Sequence, residues 1–453
     1  MKITVFGCGY VGLTTAVGLA EMGNEVLGID IDADKISLLK QGVVHFYEPG
    51  LQEMLLRQIT EGRLTFSTDA KLGIESSDII FSAVGTPPLR DHYADLSAVL
   101  HVAEQFKKYA RGDKIFINKS TVPLGTSDKI FDIIAQGKRD SDFFDVISNP
   151  EFLREGTALK DFFAPDRIVV GLYDRSPRLQ KIMKKLYRPM LENNVPILFT
   201  DIRSAEAIKY ASNAYLATRL SFVNELANFC EKIGADIQDV RQGVGLDKRI
   251  GTHFFQPGIG FGGSCLPKDL NALIEMGKHH AFDFKLLDAA QKINYEQPYR
   301  IVEALKKAFS SIKGKIVTIW GVSFKPGTDD LRDAPSLVII RELLQGGAKL
   351  KIYDPVSLQK LQKIFGKKLI YCQDYYSALQ ESNALLLLTE WDEFRNPDFA
   401  KMKAFMAQHY IFDGRNIFDR EEIEKQGFFY YGIGSLSPQR KLKSMRSRVK
   451  LGL

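Results

Sequence analysis

Cysteine is scarce in this sequence, and long hydrophobic runs are missing from it. The four cysteines among 453 residues lie far apart, with no CxxC pair and no spacing typical of a metal site. This distribution predicts neither a disulfide framework nor a zinc centre, and it suits a reducing compartment, which we take to be the cytoplasm. No apolar run approaches the roughly 20 residues that a membrane span needs, and the first residues, MKITVFGCGY, enter a strand at once, unlike a secretory signal. We therefore expect no metal and no membrane partner.

Net charge is also small for a chain of this length. A formal charge of +6 does not indicate a nucleic-acid partner, although it suits an anionic substrate. The last residues, PQRKLKSMRSRVKLGL, hold part of this charge, and residues 441–453 are predicted to form a basic, disordered tail. The remaining composition, 45% hydrophobic and 26% charged, is that of a folded enzyme. Since one hydrophobic core cannot serve 453 residues, two or three domains are expected.

The first 200 residues alternate between strand-like and helical patterns. Lys2–Phe6 is a short apolar run, a glycine-rich turn and an apolar helical pattern follow, and Glu25–Ile29 is a second strand. Further strand-like runs are SDIIFSAVG, KIFINKS and FDVISNP. Residues 1–200 are therefore predicted to form an open, mostly parallel α/β sheet of the Rossmann type.

The turn after the first strand contains a dinucleotide-binding pattern. Gly7, Gly9 and Gly12 form GxGxxG between a strand and a helix, where they permit a tight turn, close approach of a pyrophosphate and close helix packing. Asp30 ends the second strand, 18 residues after Gly12, where a carboxylate accepts hydrogen bonds from ribose hydroxyls and repels a 2′-phosphate. We therefore expect the cofactor NAD. Lys35 lies within reach of the adenosine side, but taken alone it fits a solvated helix lysine.

One long helix is predicted from Asp201, and residues 201–300 look like a central connecting domain. Apolar residues recur at helical spacing over more than eight turns. They are Ile208, Ala211, Tyr215, Phe222, Leu226, Phe229 and Ile233. Because such a stripe often builds a subunit interface, a homo-oligomer, at least a dimer, is expected.

The alternation of strands and helices restarts after residue 313. KIVTIWG, KLKIYDP and NALLLLTEW read as strands, and SLVIIRELLQGG reads as a helix. Residues 301–440 thus repeat the pattern of the first domain, but with the single Gly321 in place of the glycine fingerprint. The second Rossmann-like domain is therefore expected to hold a different ligand.

Cys265 lies in the glycine-rich segment PGIGFGGSCLPKD, residues 257–269. Four of the seven preceding positions are glycine, which permits close backbone approach to a ligand. Pro267 suits the first turn of a helix, so Cys265 is placed at a helix N-terminus, where the helix dipole and Lys268 favour the thiolate. A thiolate can attack an aldehyde to give a thiohemiacetal, whose oxidation gives a hydrolysable thioester.

Two further polar pairs are candidate site residues. Lys209 and Asn213 are four residues apart and share a helix face, where an amine stabilises alkoxide charge and an amide positions a water. Taken alone they also fit an exposed polar stripe. Glu151 and Glu155, after a predicted strand, can relay a proton or can simply be charges at the start of a helix.

Seven further motifs follow the glycine fingerprint in order along the chain. They are YEPGL (47–51), VGTP (84–87), STVP (120–123), NPEFLREG (149–156), GFGGSCLPKD (260–269), FKPGTDDLR (324–332) and DGRN (413–416). The whole pattern resembles the UDP-glucose 6-dehydrogenase family, whose members are nucleotide-sugar dehydrogenases that oxidise a sugar C6 alcohol to a carboxylate. The match runs to about residue 435, and no catalytic position departs from it.

The resemblance implies an α/β fold with an N-terminal Rossmann-type NAD domain, a central long-helix domain and a C-terminal Rossmann-like UDP-binding domain. It also implies oxidation of UDP-glucose to UDP-glucuronate, a step of nucleotide-sugar metabolism and polysaccharide biosynthesis, with Cys265 as nucleophile and four electrons transferred to NAD. The implied catalytic residues are Cys265, Lys209, Asn213, Asp269, Glu155 and Thr121.

The resemblance also implies two sets of binding residues. The cofactor set is Gly7, Gly9, Val11, Gly12, Asp30, Lys35, Thr86, Thr121, Glu155, Lys268 and Arg332. The substrate set is Phe152, Leu153, Arg154, Glu155, Lys209, Asn213, Arg249, Phe254, Phe255, Gln256, Pro257, Gly258, Gly262, Lys325 and Arg415. Arg249 corresponds to an arginine that reaches the substrate of a neighbouring subunit in this family.

Two alternatives remain open at this point. GDP-mannose and UDP-N-acetyl-mannosamine dehydrogenases share the cysteine and cofactor motifs, although YEPGL and DKRIG favour UDP-glucose. A catalytically silent nucleotide-sugar sensor would keep the fold and the binding sites. The presence of Cys265, Lys209 and Asp269 together disfavours the silent sensor.

Overall fold

The computed structural model describes residues 1–137, 139, 142–174 and 176–435. The chain divides into two compact units. The first is Met1–Ser212 with Asn271–Ala281, and the second is Asn213–Leu270 with the described residues from Phe282 onward. The predicted basic tail, residues 441–453, lies outside the described residues, and the predicted domain boundaries near residues 200 and 300 stay predictions.

Eight strands of the described chain form one sheet in the first unit. They are β1 (Lys2–Phe6), β2 (Glu25–Ile29), β3 (Leu64–Ser67), β4 (Ile79–Ser82), β5 (Asp113–Asn118), β6 (Phe143–Ser148), β7 (Ile168–Gly171) and β8 (Ile197–Thr200). The strand order is β3-β2-β1-β4-β5-β6-β7-β8, and each pair is parallel except β6 with β7. The mostly parallel sheet predicted for this part of the chain is thus confirmed.

Helices cover both faces of this sheet. They are α1 (Tyr10–Glu21), α2 (Ala33–Lys40), α3 (Leu51–Thr60), α4 (Ala70–Ser76), α5 (Ser97–Tyr109), α6 (Thr126–Ala135), α7 (Ala158–Phe163), α8 (Pro177–Leu186) and α9 (Arg188–Glu192). A hydrophobic core lies on each face of the sheet. Ile3 and Val5 of β1 pack into one core and Phe6 packs into the other, because successive side chains of a strand point to opposite faces. A strand buried on both faces reads as a continuous apolar run, as β4 does.

The long helix predicted from Asp201 is present as α10 (Ile202–Ile233). Its residues, and those of α12 (Leu266–His279), belong partly to each unit. Between them lies α11 (Ile237–Gly245), and α13 (Lys285–Phe309) follows. Of the apolar residues that predicted α10, Tyr215, Phe222, Phe229 and Ile233 are exposed, whereas Leu226 packs against the core of the second unit. The buried face of this part of α10 includes the small or polar residues Ala217, Ser221 and Asn224.

The second unit contains a six-stranded parallel sheet of the order β11-β10-β9-β12-β13-β14. Its strands are β9 (Ile316–Trp320), β10 (Lys349–Tyr353), β11 (Ile370–Tyr371), β12 (Ala384–Leu387), β13 (Tyr410–Asp413) and β14 (Phe429–Gly432). Its helices are α14 (Pro335–Gln345), α15 (Leu358–Phe365), α16 (Tyr375–Ala378), α17 (Phe399–Phe405) and α18 (Arg420–Lys425). Here β9 lies between β10 and β12 as β1 lies between β2 and β4, which confirms the predicted repeat of the α/β pattern.

None of the helices in the part of the chain that the structure describes has the length and hydropathy needed to cross a membrane.

Candidate active site

The glycine fingerprint forms the turn between β1 and α1. Gly7 has a φ of +88°, which favours glycine, and a Cβ on Gly12 would lie 1.7 Å from the Gly7 carbonyl oxygen. A Cβ on Gly9, by contrast, would meet no atom within 4 Å. The first turn of α1 carries no acidic residue. The first turn of this helix therefore leaves space for a ligand and carries no carboxylate that would repel the pyrophosphate of a dinucleotide.

Asp30 directly follows β2 and is held as a carboxylate. It accepts hydrogen bonds from the backbone N–H groups of Cys8 (2.8 Å) and Asp32 (3.0 Å) and from Lys35 Nζ (2.8 Å). Burial acts to raise the pKa of Asp30, but these hydrogen bonds outweigh it, so the pKa is lowered. Lys35 is thus an ion-pair partner of Asp30 and not the solvated helix lysine that its sequence context favoured.

The threonines of VGTP and STVP lie together where β4 and β5 end. Thr86 Oγ1 donates to the carbonyl oxygen of Thr121 at 2.8 Å, and Ser120 Oγ donates to that of Val84 at 2.8 Å. Val11 is half-buried in the first turn of α1. The order of the strands along the sheet reverses at β1, since β2 lies on one side of it and β4 on the other. In open α/β sheets, ligands bind at the carboxyl ends of the strands at such a point. Val11, Thr86 and Thr121 are therefore placed where they can contact a bound NAD.

Glu151 and Lys209 form a buried ion pair within the first unit. Glu151 Oε1 lies 2.9 Å from Lys209 Nζ, and the two side chains are only 5% and 4% exposed. Glu151 Oε2 also accepts the backbone N–H of Leu153. Glu151 is therefore not a charge at the start of a helix, since the next helix, α7, begins only at Ala158. The exposed-stripe alternative for Lys209 is likewise wrong.

Residues of the NPEFLREG turn face different partners. Phe152 lies under two cations, with the guanidinium of Arg167 3.6 Å and Lys209 Nζ 5.4 Å from its ring centroid. Arg154 is committed to Asp161 through its side chain and its backbone N–H. Leu153 and Glu155 are half-buried. Phe152 thus lies next to Lys209, whereas Arg154 fixes the turn.

Several buried charged residues of the first unit were not predicted from the sequence, among them Glu48, Glu206 and Lys119. Glu48 accepts the N–H groups of Gly156 (2.6 Å) and Ala158 (2.7 Å), so it anchors the end of the NPEFLREG turn. Glu206 accepts those of Gly125 (2.7 Å) and Ser127 (2.9 Å), which follow the STVP motif. Glu48 stands inside a recognised motif, but its partners are 108 and 110 residues away.

Lys119, the third of these residues, precedes the STVP motif directly. Its side chain is buried, and Nζ donates to Asn149 Oδ1 at 3.4 Å. Burial, partly offset by the charge of Glu151 and reinforced by that of Lys209, lowers the pKa of Lys119 to about 8. The sequence shows a lysine after a strand, which usually lies in solvent, and offers no sign of this burial.

In the second unit Cys265 lies immediately before α12. The helix begins at Leu266, Pro267 is its second residue, and the Cys265 carbonyl accepts the N–H of Asp269 at 2.8 Å. The thiol is half-buried, and its Sγ is 3.5 Å from the hydroxyl oxygen of Ser264. The predicted placement at a helix N-terminus is confirmed, and it gives the thiol the positive end of the helix dipole.

A buried carboxylate lies one turn into the same helix. Asp269 accepts hydrogen bonds from Asn213 Nδ2 and from Lys268 Nζ, both at 2.6 Å. Asn213 and Asp269 are buried, so the exposed-stripe alternative is wrong for Asn213 as well. The ammonium group of Lys268 neutralises Asp269, and the amide of Asn213 fixes its orientation. The structure thus brings together three residues that the resemblance assigned to cofactor and catalytic sets.

The glycines before Cys265 allow close packing within the protein. A Cβ on Gly262 would lie 2.3 Å from the carbonyl oxygen of Asp333, and one on Gly263, with a φ of +86°, would meet the Phe324 ring at 2.7 Å. From the sequence, the density of glycines predicted close backbone approach to a ligand. At these two positions protein atoms occupy that space, so the glycines dock the GFGGSC segment onto the FKPGTDDLR motif.

Arg415 joins several segments of the second unit. Its Nε donates to the carbonyl oxygen of Leu388 (2.7 Å), its Nη2 donates to that of Phe324 (2.9 Å), and Nε also lies 3.2 Å from Glu390. Gln256 Nε2 donates to the Arg415 carbonyl oxygen at 3.3 Å. A guanidinium held this firmly is pre-organised, but much of its hydrogen-bonding capacity is already used.

The other residues of the predicted substrate set in the second unit differ in their exposure to solvent. Lys325 Nζ lies 5.5 Å from the Phe324 ring centroid. Phe254 is exposed with a φ of +53°, and Phe255 is buried. Gly258, preceded by the buried Pro257, donates its N–H to Asn224 Oδ1 at 2.8 Å.

Two arginines of the predicted sets pair with neighbouring carboxylates. Arg332 lies within 2.6 Å of Asp330, and Arg249 lies within 2.6 Å of Asp247. Both arginines are exposed, so both ion pairs are accessible to an incoming phosphate or carbohydrate.

Asp354 of the second sheet follows β10 as Asp30 follows β2. It accepts the backbone N–H groups of Val322, at 2.7 Å, and of Ser357, at 2.9 Å. Its side chain is 1% exposed, against 8% for Asp30, so it offers little to a ribose. This difference agrees with the expectation that the second Rossmann-like domain binds another ligand.

Comparison with known proteins identifies the family. Three models of the UDP-glucose/GDP-mannose dehydrogenase family match in order: the NAD binding domain over residues 1–191, the central domain over 203–296 and the UDP binding domain over 318–420. The UDP-glucose 6-dehydrogenase TuaD of Bacillus subtilis is 43% identical over 433 residues, which are 96% of this chain and 93% of the relative.

Solved structures agree with this assignment. A UDP-glucose dehydrogenase from the archaeon Pyrobaculum islandicum has a TM-score of 0.87 and 35% identity, covering 96% of this chain and 98% of its own. A UDP-D-ManNAc dehydrogenase from Pyrococcus horikoshii has a TM-score of 0.83 and 27% identity, covering 96% and 99%. This chain therefore belongs to the UDP-glucose/GDP-mannose dehydrogenase family and is an NAD-dependent nucleotide-sugar dehydrogenase.

Proposed function

We propose that this enzyme oxidises the C6 alcohol of UDP-glucose to the carboxylate of UDP-glucuronate. The observation that carries the proposal is the half-buried Cys265 at the start of α12, one turn before the buried Asp269 with its partners Asn213 and Lys268. UDP-glucose is favoured because relatives at 41–43% identity over nearly the whole chain are UDP-glucose 6-dehydrogenases. The UDP-D-ManNAc dehydrogenase is only 27% identical.

The proposed reaction comprises two oxidations at one carbon. NAD, when bound, accepts one hydride in each oxidation, so conversion of an alcohol to an acid uses two NAD. The Cys265 thiolate attacks the aldehyde formed first, giving a thiohemiacetal whose oxidation gives a thioester. Water then cleaves the C–S bond, which releases the acid and the thiol. Covalent attachment retains the aldehyde between the two oxidations.

The polar residues divide between charge stabilisation and water handling. Lys209, positioned by its ion pair with Glu151, is suited to stabilise negative charge on the C6 oxygen. Asp269, oriented by Asn213, is suited to activate the water that hydrolyses the thioester. Thr121 and Glu155 are assigned to the reacting C6 and its water by the resemblance.

The remaining proposed residues bind the nucleotide and the sugar. Asp30 is proposed to accept hydrogen bonds from the adenosine ribose hydroxyls of NAD, and the open N-terminus of α1 is proposed to bind its pyrophosphate. On the substrate side the pre-organised Arg415 and the half-buried Lys325 supply positive charge for UDP. The NPEFLREG turn and residues 254–258 are proposed to make the other contacts with the substrate.

Self-association through α10 is part of the proposal. Tyr215, Phe222, Phe229 and Ile233 are each more than half exposed, at a spacing that places them on one helix face. An exposed apolar stripe of this length is best covered by a second copy of the chain, towards which the exposed Arg249 is proposed to reach. We expect sedimentation equilibrium to give at least twice the 51.0 kDa chain mass. Phe229→Glu should lower it, Leu198→Glu on β8 should not, and a monomeric wild type would contradict the proposal.

A substrate panel tests the proposed specificity. Purified enzyme is incubated with NAD and, separately, UDP-glucose, GDP-mannose or UDP-N-acetyl-mannosamine, and NADH formation is followed by absorbance. UDP-glucose is expected to give the highest kcat/KM. Faster reduction with either of the other two would overturn the proposed substrate.

Cys265→Ser tests the proposed nucleophile. This variant is expected to bind NAD and UDP-glucose with unchanged affinity but to release no UDP-glucuronate. The neutral serine hydroxyl attacks the aldehyde less readily than a thiolate does, and an oxygen ester hydrolyses less readily than a thioester. Cys372→Ser is the matched control, since Cys372 is likewise a half-buried cysteine outside any disulfide. Undiminished UDP-glucuronate formation by Cys265→Ser would refute the assignment.

A further inference from the structure

Lys119 is a buried lysine that the reaction described above does not use. It directly follows β5, and 6% of its surface is exposed. Within the described residues its Nζ makes one hydrogen bond, a long one of 3.4 Å to Asn149 Oδ1. That oxygen also accepts the hydroxyl of Tyr187 at 2.5 Å. The ammonium group is therefore poorly solvated by the protein around it, which is costly for a buried charge.

Lys114, on the same strand, shows how a structural lysine differs. It is equally buried, at 6% exposed, yet its Nζ donates to the carbonyl oxygen of Ser77 at 2.6 Å and approaches that of Glu75 at 3.5 Å. These carbonyl oxygens replace the water that Lys114 has lost. Lys119 has no comparable set of acceptors in the described chain, so hydrogen bonding does not account for its burial.

The surroundings of Lys119 contain the Glu151–Lys209 ion pair. A cavity against the Lys119 side chain is lined by Asn149, Glu151, Phe152, Arg167 and Tyr187. The Glu151 carboxylate attracts the Lys119 ammonium group, and the Lys209 ammonium group repels it. One carboxylate thus lies in the field of two buried amines.

The other titratable groups around this cavity do not compensate Lys119. Asp161 also lines the cavity but is bound to Arg154. Arg167 adds positive charge, and Tyr187 stays neutral because burial raises its pKa. Glu151 is therefore the carboxylate available to Lys119, and Lys119 and Lys209 share it.

We propose that Lys119 is a positioning residue whose buried charge acts on the Glu151 carboxylate that Lys209 also pairs with, and that Lys119 thereby makes Lys209 release its proton more readily. The inference rests on the proposed function, in which Lys209 acts at the C6 oxygen. Coupling between titrating groups is reciprocal: if charged Lys209 disfavours the proton on Lys119, charged Lys119 disfavours the proton on Lys209 to the same degree. Lys119 thus adjusts the protonation state in which the ion pair meets the substrate.

Removal of the Lys119 charge should move the pH dependence of catalysis. Lys119→Met keeps most of the length of the side chain but removes its charge, so protons bind more tightly to the neighbouring groups. The apparent pKa values in the pH profile of kcat are expected to rise by on the order of 1 unit. KM for NAD should stay unchanged. Lys114→Met is the matched control for loss of a buried amine, and its profile should coincide with that of the wild type.

Lys119→Arg supplies a second variant if the methionine variant does not fold. Arginine keeps its charge throughout the accessible pH range, so the neighbours never experience the loss of charge that Lys119 undergoes near pH 8. The component of the wild-type kcat profile near pH 8 should be absent in Lys119→Arg. Retention of that component in Lys119→Arg, or a Lys119→Met profile that coincides with the wild type, would overturn the inference.

The experiment separates this inference from the proposed function. Wild type and Lys114→Met are first assayed with UDP-glucose and NAD. If neither forms NADH, the proposed substrate is wrong, and the profiles are recorded with whichever nucleotide sugar of the panel is oxidised. If both are active and the Lys119 profiles do not move, only the role of Lys119 is wrong.

Discussion

Asp30→Ala should change the cofactor preference of the enzyme from NAD towards NADP. The Asp30 carboxylate is proposed to accept the adenosine ribose hydroxyls and to repel a 2′-phosphate. Its removal abolishes both effects. It also releases Lys35, whose Nζ lies 2.8 Å from Asp30 Oδ2, so that a cation becomes available to a 2′-phosphate at the same place.

The expected magnitude follows from the contacts. A hydrogen bond to a charged group contributes about 1.5–3 kcal/mol, which corresponds to a rise of about 10- to 150-fold in KM for NAD. NADP should gain through the loss of like-charge repulsion and the release of Lys35. The ratio of kcat/KM for NAD to that for NADP is therefore expected to fall by on the order of 100-fold.

Steady-state kinetics with each cofactor at saturating nucleotide sugar measures this ratio. Asp34→Ala is the matched control, because Asp34 is an exposed carboxylate in the first turn of α2 and its loss changes the net charge equally. Since Asp30 also accepts the N–H groups of Cys8 and Asp32, thermal unfolding must show that the variant is folded at the assay temperature. An Asp30→Ala ratio equal to that of Asp34→Ala would refute the assigned role of Asp30.

Three further predictions concern stability and catalysis. The lowering of the Lys119 pKa from 10.5 to about 8 corresponds to roughly 3 kcal/mol of lost stability. This loss of stability is complete below pH 8 and is relieved as the pH rises to 10.5. Lys119→Met should therefore raise the midpoint of urea unfolding at pH 7, and the difference from the wild type should shrink by pH 10. Equal midpoints of the two proteins at pH 7 would contradict this prediction. Gly9→Ala should keep the wild-type melting temperature but weaken NAD binding in calorimetry, whereas Gly12→Ala should lower both, since its Cβ would meet the Gly7 carbonyl oxygen at 1.7 Å; identical behaviour of the two variants would count against the turn geometry. Asp269→Asn should lower kcat about 100-fold with little change in NAD affinity, and a near-normal kcat would exclude Asp269 from catalysis.

Local patterns made the fold predictable from the sequence. The alternation of strands and helices, the glycine fingerprint and the helical repeat in α10 each extend over short stretches, and the structure contains all of them. Asp30 was found for the same reason, since it lies at a set distance from Gly12 along one βαβ unit. The placement of Cys265 before α12 needed only the proline that follows it.

The pairing of charged residues could not be predicted, because it depends on residues distant in the chain. Glu151 and Lys209 are 58 residues apart, and Asn213 and Asp269 are 56 apart. A single lysine on a helix fits solvent better than a core, since burial of an amine is unfavourable without a partner. Only the fold supplies that partner, and it turns the exposed-stripe expectation for Lys209 into a buried ion pair.

The glycines before Cys265 show a second limit of sequence reasoning. The absence of a Cβ indicates close approach but does not say which atoms approach. At Gly262 and Gly263 the atoms are those of Asp333 and Phe324, so the glycines shape the protein itself.

The stoichiometry of NADH tests the central claim most directly. A limiting amount of UDP-glucose is converted to completion with excess NAD, and NADH and UDP-glucuronate are both quantified. Retention of the aldehyde on Cys265 until the second oxidation predicts two NADH and one UDP-glucuronate for each UDP-glucose consumed. One NADH per UDP-glucose, with a free aldehyde as product, would contradict the account.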